Sequence, residues 1–186
     1  MSRRDLIKMS EAEAASFLVD ERTVTCATAG PRGWPHLMPL WYVLRAAAAG
    51  AGGEATDAAA DVPGAPPDGA PSVRVWAWTY ATSQKVRNLE RDTRATLQVE
   101  AGEQYQELRG LMLECEVRIH RDLAAVQALG QEIFRRYALP RGQAPAQELP
   151  GEVAAMVDKQ AAKRVGLEFV ELRRTSWDHR KLEGIY

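Results

Sequence analysis

The stretch "RGLMLECEVRI" (109–119) constrains the fold more than any other. Leu111, Leu113, Cys115, Val117 and Ile119 fall on one side of an extended chain, and Glu114, Glu116 and Arg118 on the other. A period of two cannot wrap a helix; it lays one face of a strand on a core and turns the other to solvent. "RATLQVE" (94–100) repeats the pattern with Ala95, Leu97 and Val99 inward, and Ala101-Gly102 supplies the turn between the two. Four further segments read as strands: "TVTCATA" (23–29), "WPHLMPLWYVLR" (34–45), "VRVWAWT" (73–79) and "RVGLEFVEL" (164–172). The second of these is apolar on both alternating faces, which predicts a strand buried on both sides. Pro39 within it has no N–H, so the ladder there requires a bulge or an open edge.

Helices fill the intervals. Ser10 and Glu13 form a capping-box pattern ahead of the stripe Ala14, Phe17 and Leu18, predicting a helix over 10–19. A short helix is expected from Ser83 to Asp92. Another, capped by Asp122, carries Val126, Leu129, Ile133 and Tyr137, and residues 151–163 read as helical. Short turns between successive strands favour antiparallel pairing, and six twisted strands with apolar inner faces favour closure. The expected class is therefore mainly β with flanking helices: a six-stranded antiparallel β-barrel.

At 186 residues the chain fits a single domain, 1–186. Residues 46–72 are almost all Ala, Gly, Pro and Asp, too poor in apolar surface to offset ordering entropy, and are expected to be a disordered loop insertion with no function of its own. A formal net charge of -1 implies no general attraction to nucleic acid or an anionic membrane. Cys26 and Cys115 lie in apolar strands and read as buried thiols, neither a disulfide framework nor a metal site. "SRRDLIK" (2–8) has the letters of a twin-arginine export signal, but Glu11, Glu13 and Asp20 interrupt the apolar run such a signal needs, so the expected location is cytoplasmic. No G-x-G-x-x-G or P-loop pattern occurs.

The chemistry gathers in "TYATSQKVRNLERDTR" (79–94). On a helix starting after Ser83, Val86 and Leu89 face the core, Lys85 lies just beside that apolar face, and Arg87 and Arg91 point away. A hydroxyl, the unpaired N–H groups of a helix start and an ammonium are what a phosphate requires. A capped, solvated helix carries the same letters. Trp76 and Trp78 lead into this segment and Trp34 and Trp41 occupy the preceding strand; they suit a planar heterocycle, or equally a core or dimer interface. Arg109 places a charge at the end of an apolar face and needs a partner: a ligand phosphate, a flavin carbonyl, a carboxylate of a second subunit, or Glu107.

The succession "GWPHLMPLWYVL", "VWAWTYATSQKVRNLERDTRATLQVE", "YQELRGLMLECEVRIHRD" and "SWDHRKL" resembles the pyridoxamine 5′-phosphate oxidase-like superfamily of split-barrel flavin and deazaflavin binders. The run Thr79, Ser83, Lys85 is its most specific element. The resemblance implies an FMN-binding split barrel, assembled as a homodimer with the cofactor, FMN or the deazaflavin F-420, at the subunit interface. It implies that Ser83 and Lys85 grip the cofactor phosphate, with Thr79 and Trp78 beside it. The backbone of His36, Leu37, Met38, Pro39 and Leu40 would follow the isoalloxazine ring, and Arg109 and Trp177 would approach from the other subunit. The substrate-phosphate segment of true pyridoxamine phosphate oxidases is replaced here by "IHRDLAAVQALGQEIFRRY", an amphipathic helix, so that oxidation is not expected. "SQKVRNLERDTR" is more similar to the F-420-dependent branch.

The expected activity is thus hydride transfer between a bound flavin or deazaflavin and a small organic substrate. His179 and Tyr80 are the candidates for proton delivery. A carrier or sensor that binds the cofactor without turnover, and a structural dimer with an empty groove, are the alternatives.

Overall fold

The computed structural model describes residues 3–46, 73–138 and 148–182. Of the insertion expected at 46–72, Ala46 instead ends a strand; residues 47–72 and most of the expected 138–150 loop lie outside the described residues.

Six strands close into an antiparallel barrel in the order β1-β2-β3-β6-β5-β4, with β1 Thr23–Ala29, β2 Pro35–Ala46, β3 Val73–Tyr80, β4 Arg94–Ala101, β5 Arg109–His120 and β6 Arg164–Asp178. The helices are α1 Arg3–Leu6, α2 Glu11–Asp20, α3 Gln84–Arg91, α4 Leu123–Tyr137 and α5 Gly151–Ala161. A barrel this narrow has no lumen; its interior fills with side chains. Val24, Cys26, Leu97, Val99, Leu111, Leu113, Leu167 and Phe169 do this, drawn from the inward positions of alternating strands.

The ends and the outer face are sealed by helices. The capping box forms as expected, with Ser10 N–H donating to Glu13 and the Glu13 N–H to Ser10 Oγ, and α2 buries Ala14, Phe17 and Leu18. The phenol of Tyr42, itself inside the core, donates toward the carbonyls of Leu18 and Glu21 at 2.7 Å each and fastens the end of α2 to β2. Arg136 of α4 bonds the same two carbonyls. Asp122 caps α4 through the Ala125 N–H at 2.9 Å, and the α4 stripe lies on the outside of the barrel against Val43, Trp76 and Trp78.

Two strands depart from expectation. β6 extends to Asp178, past the predicted end at 172, because "RRTSWD" pairs with Arg109–Glu114 of β5 despite its polar outer positions; Leu172 is the extra residue of a bulge between the two halves of the ladder. β2 is not buried on both sides. It pairs with β1 from Pro35 to Trp41 but with β3 only from Tyr42 to Ala46. Its first half therefore has an open edge, Pro39 staying in register with Thr25 across the β1 side. Trp34, Leu37, Met38 and Trp41 are all exposed on the single chain. What reads as a doubly buried strand is buried only where β3 has joined it.

Candidate functional site

The barrel is split where β2 and β3 part. The ladder ends at the pair Tyr42 and Ala77, and beyond it Pro39–Trp41 diverge from Trp78–Tyr80. Tyr137 of α4 braces the fork: its hydroxyl accepts from the Tyr42 N–H at 2.9 Å, and its ring stacks on Trp41 at 4.5 Å and 10°. A cleft of about 380 Å³ opens at this point, lined by Pro39, Leu40 and Trp41 on one side and Trp78, Thr79 and Lys85 on the other. Ile133 and Phe134 of α4, Val157 and Gln160 of α5, and Arg164 complete its wall.

Lys85 gives the cleft its chemistry. Val86 and Leu89 are fully buried and pin α3 to the barrel, which carries Lys85 inward on the same face; only 6% of it is exposed. Its Nζ donates to Thr79 Oγ1 at 2.9 Å, and no described carboxylate pairs with it. Burial holds its pKa below the ordinary lysine value, a shift opposed in part by nearby Cys26. Ser83 occupies the N-cap position in an extended conformation, yet its side chain makes no cap bond; it lies 3.5 Å from Thr79 Oγ1 instead. The serine is thus not spent on capping, as its letter suggests. Two hydroxyls, a buried cation and the unpaired N–H groups of the α3 start form a cradle for one oxyanion.

Sequence reasoning overlooked the support beneath this cradle. Asn88 is fully buried, accepts from Gln84 Nε2 at 2.8 Å and donates to Thr28 Oγ1 at 3.0 Å, tying α3 to β1. It also overlooked Arg164, whose guanidinium lies 4.5 Å from the Trp78 ring centroid and 4.1 Å from that of Tyr80. The spacing of Asn88 from Lys85 along one helical face carried a trace of the first; nothing local marked the second.

Of the predicted site residues, the cleft gathers Pro39, Leu40, Trp78, Thr79 and Lys85, with Ser83 adjoining through Thr79. His36, Leu37 and Met38 continue along the open half of β2. Arg109 and Trp177 lie elsewhere on the same chain. Arg109 pairs with Asp178 in the β5–β6 ladder, at the far end of β6 from Val165, which pairs with Thr79. Its guanidinium sits 3.7 Å from Glu21 and over the Phe17 ring, not on Glu107. Trp177 packs across Gly110, where an added Cβ would lie 2.3 Å from its ring. His179 Nδ1 is 2.9 Å from the Tyr105 carbonyl oxygen at that same end, and Tyr80 is half exposed under Arg164. Arg87 and Arg91 are exposed, and Arg91 bonds the Ala29 carbonyl.

Both cysteines are free and buried, and burial pushes Cys26 up to about 12 and Cys115 up as well, so neither is a nucleophile. Among the described residues no cluster of His, Cys, Asp or Glu could hold a metal ion, and no helix is long and apolar enough to cross a membrane.

Comparison with known proteins agrees with the geometry. A family model described as pyridoxamine 5′-phosphate oxidase matches residues 10–163. A conserved hypothetical protein from Mycobacterium tuberculosis has a crystal structure that is 35% identical, with a TM-score of 0.72, covering 100% of this chain and 95% of that one. A protein described as an F-420 reductase shares the fold at 17% identity and a TM-score of 0.53, with 89% and 98% covered. So does a heme storage protein from Vibrio cholerae, at 14% identity and a TM-score of 0.53, with 87% and 89% covered. No curated protein matches the chain.

Proposed function

We propose that this chain, which belongs to the pyridoxamine 5′-phosphate oxidase family, is an oxidoreductase that binds FMN or the deazaflavin F-420 in the cleft between β2 and β3. One observation carries the reading: Lys85 is a buried cation whose partner is a hydroxyl, in the wall of a cleft with no carboxylate in its described lining. Such a charge is costly without an anion, and a cofactor phosphate supplies it. The fit extends to the strand edge. Where β2 and β3 separate, their facing backbone groups lack a ladder partner, leaving polar atoms for a flat heterocycle while Leu40, Trp41 and Trp78 give it apolar contact.

Ser83, Thr79 and Lys85 hold the phosphate, and the open half of β2 from His36 to Leu40 orients the ring. α4 and α5 exclude water from one side through Ile133, Phe134 and Val157. When bound, the cofactor supplies hydride transfer to or from a small organic substrate. The exposed apolar side chains of Leu37, Met38 and Trp41 on the two faces of β2, with Trp34 just before it, fit a homodimer interface. In such a dimer, Arg109 and Trp177 of a second copy reach the cleft that they do not reach in their own chain. The F-420-dependent branch is favoured by the similarity to the F-420 reductase and by Arg87 and Arg91 on the outward face of α3, where an acidic cofactor tail would pass. A heme reading finds less support, because the described lining offers no histidine, cysteine, methionine or tyrosine to ligate iron.

Titrating the purified, cofactor-free protein with FMN and with F-420, followed by fluorescence, tests the proposal. Binding of either, lost on substitution of Lys85, is the expected result. Binding of neither overturns it. If a cofactor binds but no acceptor hastens its reoxidation, the protein is a carrier or sensor and the enzymatic part fails.

A further inference from the structure

Arg164 opens β6 directly after α5, and the ladder sets it opposite Tyr80. Its guanidinium carbon lies over two aromatic rings, Trp78 and Tyr80. Cation–π contact with ring faces fixes the plane of a guanidinium and leaves its N–H edge to point sideways. Arg164 belongs to the lining of the cleft.

The arginine is short of partners. Its Nε is buried with no hydrogen-bond acceptor, and the contact to Gln160 Oε1, at 3.4 Å, is at the long limit of a hydrogen bond. It forms no ion pair with any described carboxylate. Arg74 is paired with Glu168, and Arg174 with Glu11 and Glu171; Arg135 of α4 shares the unbonded Nε, but it is not in the lining of the cleft. A buried guanidinium N–H left unbonded is costly, and this one survives beside a cleft in which Lys85 is already the first uncompensated cation.

We infer that Arg164 is a second oxyanion receptor of the cleft, distinct from the cradle at Lys85, Thr79 and Ser83. It takes a carboxylate or phosphate oxygen through the edge of its guanidinium, with Gln160 as a neighbouring donor. Lys85 lies in the inner cradle with Thr79, whereas Arg164 lies against Trp78 and Tyr80, the alternate positions of the same strand. The two cations therefore flank the strand edge and present two separated binding points, with Leu40, Ile133, Phe134 and Val157 between and around them. That arrangement suits an acid carried on an apolar or planar body. The anion comes from one of two sources: an acidic substrate lying beside the cofactor, or the cofactor itself. The inference rests on the cleft assigned above, though not on which cofactor fills it.

The test uses calorimetric titration of the purified full-length protein with four probes: FMN, riboflavin, inorganic phosphate and benzoate. Arg164→Gln removes the charge while keeping a polar group of similar reach, and Arg164→Lys keeps the charge without the fork. Thermal unfolding of each variant shows whether the fold is intact. Loss of a charge-assisted hydrogen bond weakens binding by about 10- to 100-fold, and Arg164→Lys should recover part of it. If the loss falls on benzoate while the preference for FMN over riboflavin persists, the receptor serves a second, acidic ligand. If the preference for FMN over riboflavin collapses instead, it serves the cofactor phosphate. Folded Arg164→Gln and Arg164→Lys proteins that bind every probe as the wild type does overturn the inference, as does a wild type that binds none of the four. Benzoate binding that depends on Arg164 in a protein that takes neither FMN nor F-420 would refute the proposed function and leave this receptor standing.

Discussion

Replacing Lys85 by Met separates what the lysine costs from what it contributes. Methionine fills nearly the same volume, so the substitution removes the charge without opening a cavity. In the ligand-free protein Lys85 is 94% shielded from water and bonded to one hydroxyl, which leaves much of its desolvation uncompensated. Relief of an unsatisfied buried polar group is worth about 1–3 kcal/mol, or a rise in Tm of roughly 2–12 °C for a domain of this size. The sign with pH follows from the lowered pKa. Between that folded-state value and the ordinary lysine value the unfolded chain holds the extra proton, so wild-type stability rises with pH there and the advantage of Lys85→Met shrinks. In the presence of FMN the order reverses. Losing a charge-assisted bond to phosphate costs about 1.5–3 kcal/mol, or roughly a 10- to 150-fold weaker Kd, while riboflavin, with no phosphate, should bind both proteins alike. Wild-type affinity for FMN should likewise fall as pH rises through the pKa of free Lys85. Differential scanning fluorimetry over a pH series and titration with the two flavins read out every arm. A Lys85→Met protein less stable than wild type at neutral pH, or one that loses FMN and riboflavin equally, would refute the reasoning.

Gly130→Ala drives a methyl to 2.4 Å from the Trp78 ring; displacement of that ring should cost about 1–3 kcal/mol of stability and weaken flavin binding, measured by chemical denaturation and titration. Tyr42→Phe removes the bonds to Leu18 and Glu21 and should cost about 1–2 kcal/mol, read as a shift in denaturation midpoint without change in slope. Arg87→Glu should weaken F-420 binding and spare FMN; Arg91 is left in place because it also bonds the Ala29 carbonyl. Equal effects on the two cofactors would remove the acidic-tail argument. If the proposed homodimer forms through the exposed half of β2, Leu37→Glu there should lower its mass to that of a monomer in light scattering, and a mass that stays dimeric would move the interface elsewhere.

The elements that sequence reasoning located correctly are those whose pattern is written in the local chain. Leu111 through Ile119 alternate because one face meets the core, and Ser10 with Glu13 caps α2 through contacts three residues apart. Elements that depend on distant segments read less well. The burial of β2 could not be judged from its own letters, since it turns on where β3 stops pairing. The extension of β6 is set by β5, and "RRTSWD" shows no alternation of its own. The site divides in the same way. Thr79, Ser83 and Lys85 share one short run, and their side chains adjoin in the fold. Arg164 lies 79 positions after Lys85, and only the ladder that sets it opposite Tyr80 brings it to the same cleft. Ser83 shows the limit even of a local motif: its letter says cap, while its hydroxyl turns to Thr79.

The split in the barrel links these observations. A six-stranded barrel paired along its whole length would leave no cleft between β2 and β3 for the buried Thr79 and Lys85 to line. Pro39, with no N–H to give, stands on the β2 edge where pairing to β3 has already lapsed, and Tyr137 supplies the hydrogen bond that the Tyr42 N–H would otherwise lack. The fork is thereby held open at the cost of a few ladder bonds, each worth about 0.5–1.5 kcal/mol net. In return the inner cradle of Lys85 and the outer face of Trp78 meet at one opening. Closing the fork should then abolish binding without touching a single ligand contact. Tyr137→Phe is the direct probe, since it keeps the stack on Trp41 and withdraws only the hydroxyl. Hydrogen exchange at Tyr42 should quicken, and FMN affinity should fall although Lys85, Thr79 and Ser83 are intact. A Tyr137→Phe protein with faster exchange at Tyr42 and undiminished affinity would show that the cleft does not depend on the brace.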